Sequence, residues 1–287
     1  MSEPSVSGYK ILAKIKDGGT YGVYRAENAK GEVVALKMLL PKFLNDKEAL
    51  GMVKREAKLA IPLSHPNVIK THALVLKGTP RPALEMEYFA GETLKLFIKS
   101  KFDEIDLAAR LRLMNACCDG LQYLHQQSIV HKDIKPENIM VDAGFKELRI
   151  IDLSLAQTLS EIKWEDLNPF KKRKVQGTVT YISPEMIRKK RLDPRTDVYS
   201  MGVVFFELCV GQPPFAGKSQ NDLIQAHLNQ APPSIRVQNK AYPQELDRII
   251  GQMLAKDPGG RISDMGTVKV RLQQMAKRLN LKDSARL

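Results

Sequence analysis

The chain has 287 residues, 43% apolar and 27% charged, with 45 Lys+Arg against 32 Asp+Glu and a formal net charge of +13. This balance is ordinary for a folded chain of one large or two small domains and excludes global disorder and fibrous repeats. Three cysteines, Cys117, Cys118 and Cys209, are too few for a disulfide framework and have no zinc-type spacing, so they read as thiols in a reducing compartment.

The opening MSEPSVSGYK lacks a basic segment followed by an apolar one and does not read as a signal peptide. Residues 9–15, 23–26 and 32–40 read as strands, separated by a Gly-rich break at 17–22 and a turn at 28–31. A helix is predicted over 47–63, with Leu50, Val53, Ala57 and Ala60 on one stripe and Pro66 as its stop. Two further strands, 68–76 and 82–88, complete a β-rich region. The character changes after Phe89-Ala90-Gly91. A long helix over 106–126 carries Leu107, Leu111, Met114, Cys118, Leu121 and Leu124 on one face, and a strand-and-loop segment covers 129–155. Helices then dominate, over 196–210, 221–228, 243–254 and 263–278, punctuated by Pro213-Pro214 and Pro232-Pro233. The longest apolar stretch, 201–210, contains Glu207 and falls far short of the ~20 residues of a membrane span. The tail, 281–287, reads as a frayed end. Nucleic acid, anionic lipid and acidic proteins are all compatible with the charge. The basic residues are dispersed, with small clusters at 171–174 and 188–191 and no interleaved aromatics, so a solvated surface is expected and no nucleic-acid partner.

The densest chemical signal is His131-Lys132-Asp133-Ile134-Lys135-Pro136-Glu137-Asn138, a short loop after the β-prone Ile129-Val130. Fourteen residues past Asn138, Asp152 ends an apolar strand. Two acids and an amide on loop ends suit a hard cation such as Mg²⁺. That leaves Asp133 to accept a proton and Lys135 to neutralise a phosphate. Upstream, Lys37 stands alone among apolar residues in Val33-Val34-Ala35-Leu36-Lys37. A buried lysine needs a partner, and Glu56 on the following helix could supply it.

With the Gly-rich break, Val34-Ala35-Leu36-Lys37, the loop ending at Asn138, Asp152-Leu153-Ser154 and Ser183-Pro184-Glu185 in this order, the chain resembles the protein kinase family over residues 9 to about 279. The resemblance implies an α+β, bilobal protein-kinase-like fold. Its small β-rich N-lobe with one main helix would cover 1–87, with a hinge at 88–91. A larger, mainly helical C-lobe would cover 92–279, followed by a basic tail at 280–287. It also implies an ATP-dependent serine/threonine protein kinase that passes the γ-phosphate of Mg-ATP to protein Ser/Thr hydroxyls. Lys37 would hold the α/β-phosphates and pair with Glu56, which lies nine residues before His65-Pro66-Asn67. Asp133 would orient and deprotonate the acceptor hydroxyl, Lys135 would touch the γ-phosphate, and Asn138 and Asp152 would bind Mg²⁺. Ile15, Gly18, Gly19, Gly22, Val23 and Ala35 would line the nucleotide. Met86 would be the gatekeeper, and Glu87-Tyr88-Phe89 the hinge whose backbone meets adenine. Lys135-Pro136-Glu137-Asn138, and Gly177-Thr178 before Tyr181, have the Ser/Thr form. Glu92 and Glu137 imply a preference for basic residues upstream of the acceptor. Asp197 resembles an anchor for the catalytic loop, and Glu185 and Arg261 a buried ion pair. His65, His125, His131 and His227 read as structural. The style of GTVTYISPE resembles the eukaryotic-like kinases of bacteria, which places the chain in the cytoplasm, alone or as the soluble domain of a longer membrane-anchored protein.

The chain departs from the family pattern in three places. Counting back from Val23, the three glycine positions of G-x-G-x-x-G hold Lys16, Gly18 and Tyr21; shifted by one they hold Asp17, Gly19 and Gly22. Either way one glycine is missing, and weaker nucleotide affinity is expected. Ser154 replaces the glycine after Asp152, which predicts a fixed Asp152. Lys132 stands where regulated kinases carry Arg, and no Ser or Thr lies between Ser160 and Thr178, so activity is expected without phosphorylation there. Thr158, Ser160, Thr178 and Thr180 are the remaining candidates for self-modification. The run Lys171-Lys172-Arg173-Lys174 is either a solvated loop or a dock for an acidic partner, and Trp164 packs locally or meets a partner. The alternative to an active kinase is a pseudokinase or nucleotide-binding scaffold. A small-molecule kinase is disfavoured by the complete 177–185 segment.

Overall fold

Alternating apolar residues near the N-terminus form β1 (Tyr9–Asp17), β2 (Tyr21–Asn28) and β3 (Val33–Leu39), joined by tight turns. The structure, a computed structural model, describes residues 6, 8–76, 82–162 and 179–280. Trp164, the 171–174 run, Gly177, Thr178 and the tail 281–287 lie outside the described residues. The chain divides into two compact units, Met1–Ala90 with Asp152–Ser154, and Gly91–Ile151 with Leu155–Leu287.

In the first unit, β4 (Thr71–Val75) and β5 (Ala83–Glu87) complete an antiparallel sheet of order β1-β2-β3-β5-β4. Strand β3 is apolar almost throughout because both its faces are covered. On one face Tyr24, Ala26, Val34, Leu36, Met38 and Ala83 form a cluster. On the other, Leu39 and Leu84 pack against Ala49, Val53 and Ala57 of α1 (Lys47–Ala60). Asp46 caps this helix by accepting from the Glu48 and Ala49 amides at 2.9 and 3.1 Å. The helix stops three residues before the expected end, because Pro62 rather than Pro66 breaks it. Lys70 then donates to the Ile61 and Leu63 carbonyls at 3.0 and 2.7 Å, taking up groups the helix end leaves over.

The second unit holds β6 (Glu92–Thr93), α2 (Leu94–Ser100), α3 (Leu107–Gln126), β7 (Ile129–Val130), β8 (Ile139–Val141), β9 (Leu148–Ile150) and β10 (Gln157–Thr158). It continues with α4 (Pro184–Ile187), α5 (Arg195–Val210), α6 (Gln220–Asn229), α7 (Gln244–Met253) and α8 (Met265–Arg278). Strands pair in the orders β6-β8-β9 and β10-β7. Helix α5 is buried along almost its whole length, packs against α7, and ends at Gly211, whose φ of +84° suits a residue without Cβ. Helix α2 has no clear signature in the sequence. Its seven residues are too few for an apolar stripe to repeat, although Leu94, Phe97 and Ile98 are the ones it buries, and the Thr93 cap accepts from the Leu96 amide at 3.3 Å. All three cysteines are buried, and none is in a disulfide. No helix among the described residues is long and apolar enough to cross a membrane.

Arg261 and Glu185 form a two-bond ion pair at 2.6 and 2.7 Å, the guanidinium fully buried. Thr196 also donates to Glu185, at 2.9 Å. Arg261 further donates to the Ala255 and Arg195 carbonyls at 2.7 and 2.8 Å. Glu185→Ala leaves that guanidinium buried without its counter-charge, and chemical denaturation should show a loss of about 3–5 kcal/mol. His227 is buried against Tyr199 and Phe215, with Nδ1 2.9 Å from the Tyr199 hydroxyl. Burial, reinforced by the Lys256 ammonium, pushes its pKa down to about 4 from 6.5. An unfolded chain therefore binds this proton first, and the His227 contribution is complete above pH 6.5 and lost as pH falls towards 4. Melting midpoints measured across that range should fall with pH, and more shallowly in His227→Gln.

Candidate active site

In the first unit the register of the sheet decides which side chains meet. Val23 pairs with Lys37, Ala35 with Met86, and Lys37 with Leu84, so Val23, Ala35, Lys37 and Met86 share one face. Tyr21, paired with Leu39, lies on that same face. Glu56 comes from the buried stripe of α1, three residues after Val53. Its carboxylate receives the Lys37 ammonium at 2.8 and 2.9 Å, and Lys37 also donates to Asp152 Oδ1 at 2.9 Å. Burial alone would lower the Lys37 pKa, but the Glu56 and Asp152 carboxylates outweigh it and hold the pKa above the ordinary lysine value. Burial pushes Asp152 up, but the Lys37 charge and its bonds from Lys37 and Ser154 prevail and hold its carboxyl well below the usual range. Asp152 sits in the left-handed region at φ +68°, and its Oδ1 also accepts from the Ser154 amide at 3.2 Å. Leu153 is buried and its backbone bonds to Glu56, which fixes the Asp152–Ser154 segment against α1.

The Gly-rich break is a turn of Gly18, Gly19 and Thr20 between β1 and β2. The Gly18 amide donates to the Tyr21 carbonyl at 2.7 Å, and a Cβ on Gly18 would sit 2.9 Å from that oxygen. Gly22 lies within β2, and Ile15, on β1, is half-exposed. Glu87 ends β5, its amide donating to the Lys70 carbonyl at 2.9 Å, and Phe89 follows two residues on.

In the second unit Asp133, Lys135 and Asn138 lie between β7 and β8. Lys135 donates to Asp133 Oδ2 at 2.6 Å, and the Asn138 side-chain amide donates to the same oxygen at 2.9 Å and to the Asp133 carbonyl at 2.8 Å. The loop is held from beneath by Asp197 near the start of α5. Its carboxylate accepts from the His131 and Lys132 amides at 2.8 and 2.9 Å and lies 2.9 Å from His125 Nε2. Burial would raise the Asp197 pKa, but these bonds and the nearby imidazoles hold it below the usual range. Lys132, at φ +68°, donates to Gln157 at 2.9 Å. His125 and His131 thus serve in the loop's support. Lys95 was missed from the sequence. It donates at 2.5 Å to the buried Glu207, which also accepts from the Tyr181 hydroxyl at 2.6 Å. Nothing in the spacing of Lys95 and Glu207 marks them as neighbours.

The candidate residues therefore form two groups: Lys37, Glu56 and Asp152 in the first unit, and Asp133, Lys135 and Asn138 in the second. The first can hold a polyanion and a cation side by side; the second can accept a proton beside a fixed positive charge. Among the described residues no three His, Cys, Asp or Glu side chains converge as a metal cage. The oxygens fit Mg²⁺ nonetheless. In the second unit the Asn138 amide nitrogen is committed to Asp133, which leaves its carbonyl oxygen for a hard cation; in the first, Asp152 supplies a carboxylate. A protein-bound Mg²⁺ normally takes several of its ligands from phosphate and water.

Residues 9–275 match the protein kinase domain family. The chain is 34% identical over 255 residues to the serine/threonine-protein kinase PrkC of Bacillus subtilis, covering 88% of this chain and 38% of that protein. It is 30% identical over 259 residues to a probable serine/threonine-protein kinase, PknB, of Lactococcus lactis, covering 90% and 40% of the two chains. It is also 32% identical over 265 residues to PknA of Corynebacterium glutamicum, named among serine/threonine-protein kinases, covering 89% and 54%. The chain thus spans about four-tenths to half the length of these curated relatives. With both groups of residues in place, and with a family match over nearly its whole length, the chain belongs to the protein kinase domain family.

Proposed function

We propose that the protein transfers the γ-phosphate of Mg-ATP to serine or threonine hydroxyls of proteins. The observation that carries this reading is the buried Lys37 ammonium on an apolar strand, held in place between Glu56 and Asp152. Lys37 binds the α/β-phosphates, and Glu56 aims it. Ile15, Val23, Ala35 and Met86 line the base, the backbone of Glu87 and Phe89 meets its edge, and Gly18, Gly19 and Gly22 bring backbone close to the phosphates. Asp152 and Asn138 hold Mg²⁺, which neutralises phosphate charge when bound. Asp133 orients the acceptor hydroxyl and takes its proton as the oxygen attacks the γ-phosphorus and ADP leaves. Lys135, tied to Asp133, offsets charge on the transferring group. The names of the relatives support the Ser/Thr assignment, and no specific observation favours a scaffold without transfer. The buried thiols and ATP chemistry suit the cytoplasm.

A basic residue upstream of the acceptor fits Glu137, one of whose carboxylate oxygens is buried without a hydrogen-bond partner, and Glu92, exposed on β6.

Two measurements test the proposal. Transfer from Mg-ATP to a basic Ser/Thr peptide should fall roughly 10²–10⁴-fold in Asp133→Asn with ATP affinity kept, and should also collapse in Asp152→Asn, circular dichroism confirming both folds. Wild type without transfer would sink the reading. A peptide array should show enrichment of Arg and Lys upstream of the acceptor, reduced by Glu137→Gln. A flat array removes the substrate preference but not the activity.

A further inference from the structure

The Lys37 ammonium has four neighbours and three hydrogens. The Glu56 carboxylate straddles one side of the ammonium, with Oε1 and Oε2 at 2.8 and 2.9 Å, and Asp152 Oδ1 accepts from another side at 2.9 Å. The fourth neighbour is the ring of Tyr21, whose centroid lies 4.8 Å from Nζ. The ring thus stands over the ammonium beside the two carboxylates. Of these contacts the carboxylates are the better secured. Glu56 belongs to the buried stripe of α1, and Asp152 is fixed by the Ser154 amide. The ring is the looser one. It packs against the cluster of Leu39, Val53 and Ala57, yet its hydroxyl is buried and has no hydrogen-bond partner. A phenol in that position gives up a bond to water and gains none, so swinging outwards restores one. Glycines flank the residue, Gly18 and Gly19 on one side and Gly22 on the other. By the count from Val23, Tyr21 also fills a place where the Gly-rich pattern has no side chain at all.

We propose that Tyr21 is a built-in cap on Lys37. Its ring occupies the place of the nucleotide's phosphates and yields it when Mg-ATP binds. This rests on the nucleotide-binding role proposed for Lys37 and gives the irregular loop a specific task. The cap sets the ATP concentration at which the protein works. It discriminates against ligands without phosphates in no way, because the contact it breaks is with the ammonium and not with the base. It also shields the Lys37–Glu56 pair from water while the nucleotide is away.

The test is calorimetric titration of Mg-ATP and of adenosine into wild type, Tyr21→Ala, Tyr21→Leu and Tyr21→Phe, with thermal melts alongside. Leucine keeps the packing against α1 if alanine loosens it, and phenylalanine keeps the ring while removing the hydroxyl. Alanine and leucine should bind Mg-ATP roughly 3- to 30-fold more tightly than wild type, the factor a desolvated cation–π contact is worth. Adenosine should bind all four alike, and phenylalanine should bind Mg-ATP no more weakly than wild type. Equal or weaker Mg-ATP binding by both folded ring-less variants overturns the cap. So does a gain shared equally by adenosine, which would mean that the ring blocks the base. Loss of Mg-ATP affinity in Tyr21→Phe overturns it too, since the hydroxyl would then serve the phosphates. Failure of all four to bind Mg-ATP overturns the nucleotide-binding reading, and the cap with it, whereas equal binding by all four overturns the cap alone.

Discussion

A lysine ammonium in the middle of an apolar sheet is the constraint on which the first unit depends. Strand β3 is buried on both faces, and Lys37 is its one charge. Such a charge is tolerable only if carboxylates come to it, because desolvating an ion costs several kcal/mol. Glu56 fixes the distance between α1 and the sheet, and Asp152 draws a segment from far along the chain onto the same unit. The sheet's apolar cluster under α1 and the ion pair therefore enforce one another. If the helix shifts, the ammonium loses a partner; if the ammonium is lost, two carboxylates are left facing one another.

The second unit solves a similar problem with a buried carboxylate. Asp197 lies on α5, which is buried along almost its whole length, and its carboxylate is met by backbone amides and an imidazole, with no ammonium or guanidinium in the hydrogen bonds described. Those amides belong to the loop that carries Asp133, so the rigidity of the helix is passed to the loop. Lys132 accepts a left-handed backbone to make this possible. A strained conformation of this kind persists only where its surroundings hold it.

Most of both units was legible in the sequence. Long elements were visible, α3 because its apolar stripe repeats several times and α5 because of its nearly continuous apolar run over 201–210. Helix α2 was not, since seven residues are too few for a helical apolar period to repeat. The end of α1 was misplaced because two prolines compete and the nearer one wins. Lys37 and Glu56 could be matched by the cost of leaving a lysine buried alone. Lys95, Glu207 and Tyr181 could not, because an ion pair between residues 112 apart leaves no local trace. The contact of Tyr21 with Lys37 was equally hidden. The sequence showed that a glycine was missing, but only the pairing of β2 with β3 shows which way the ring points.

The three thiols have a practical consequence. Cys117, Cys118 and Cys209 are packed in the helical interior, and burial raises the pKa of each, that of Cys209 to about 12. At neutral pH they carry almost no thiolate, the form that reacts with alkylating reagents. The native chain is accordingly a quiet background for site-directed chemistry. A single cysteine placed on an exposed position would take a fluorophore or spin label by itself, and the wild-type thiols would not need to be removed first.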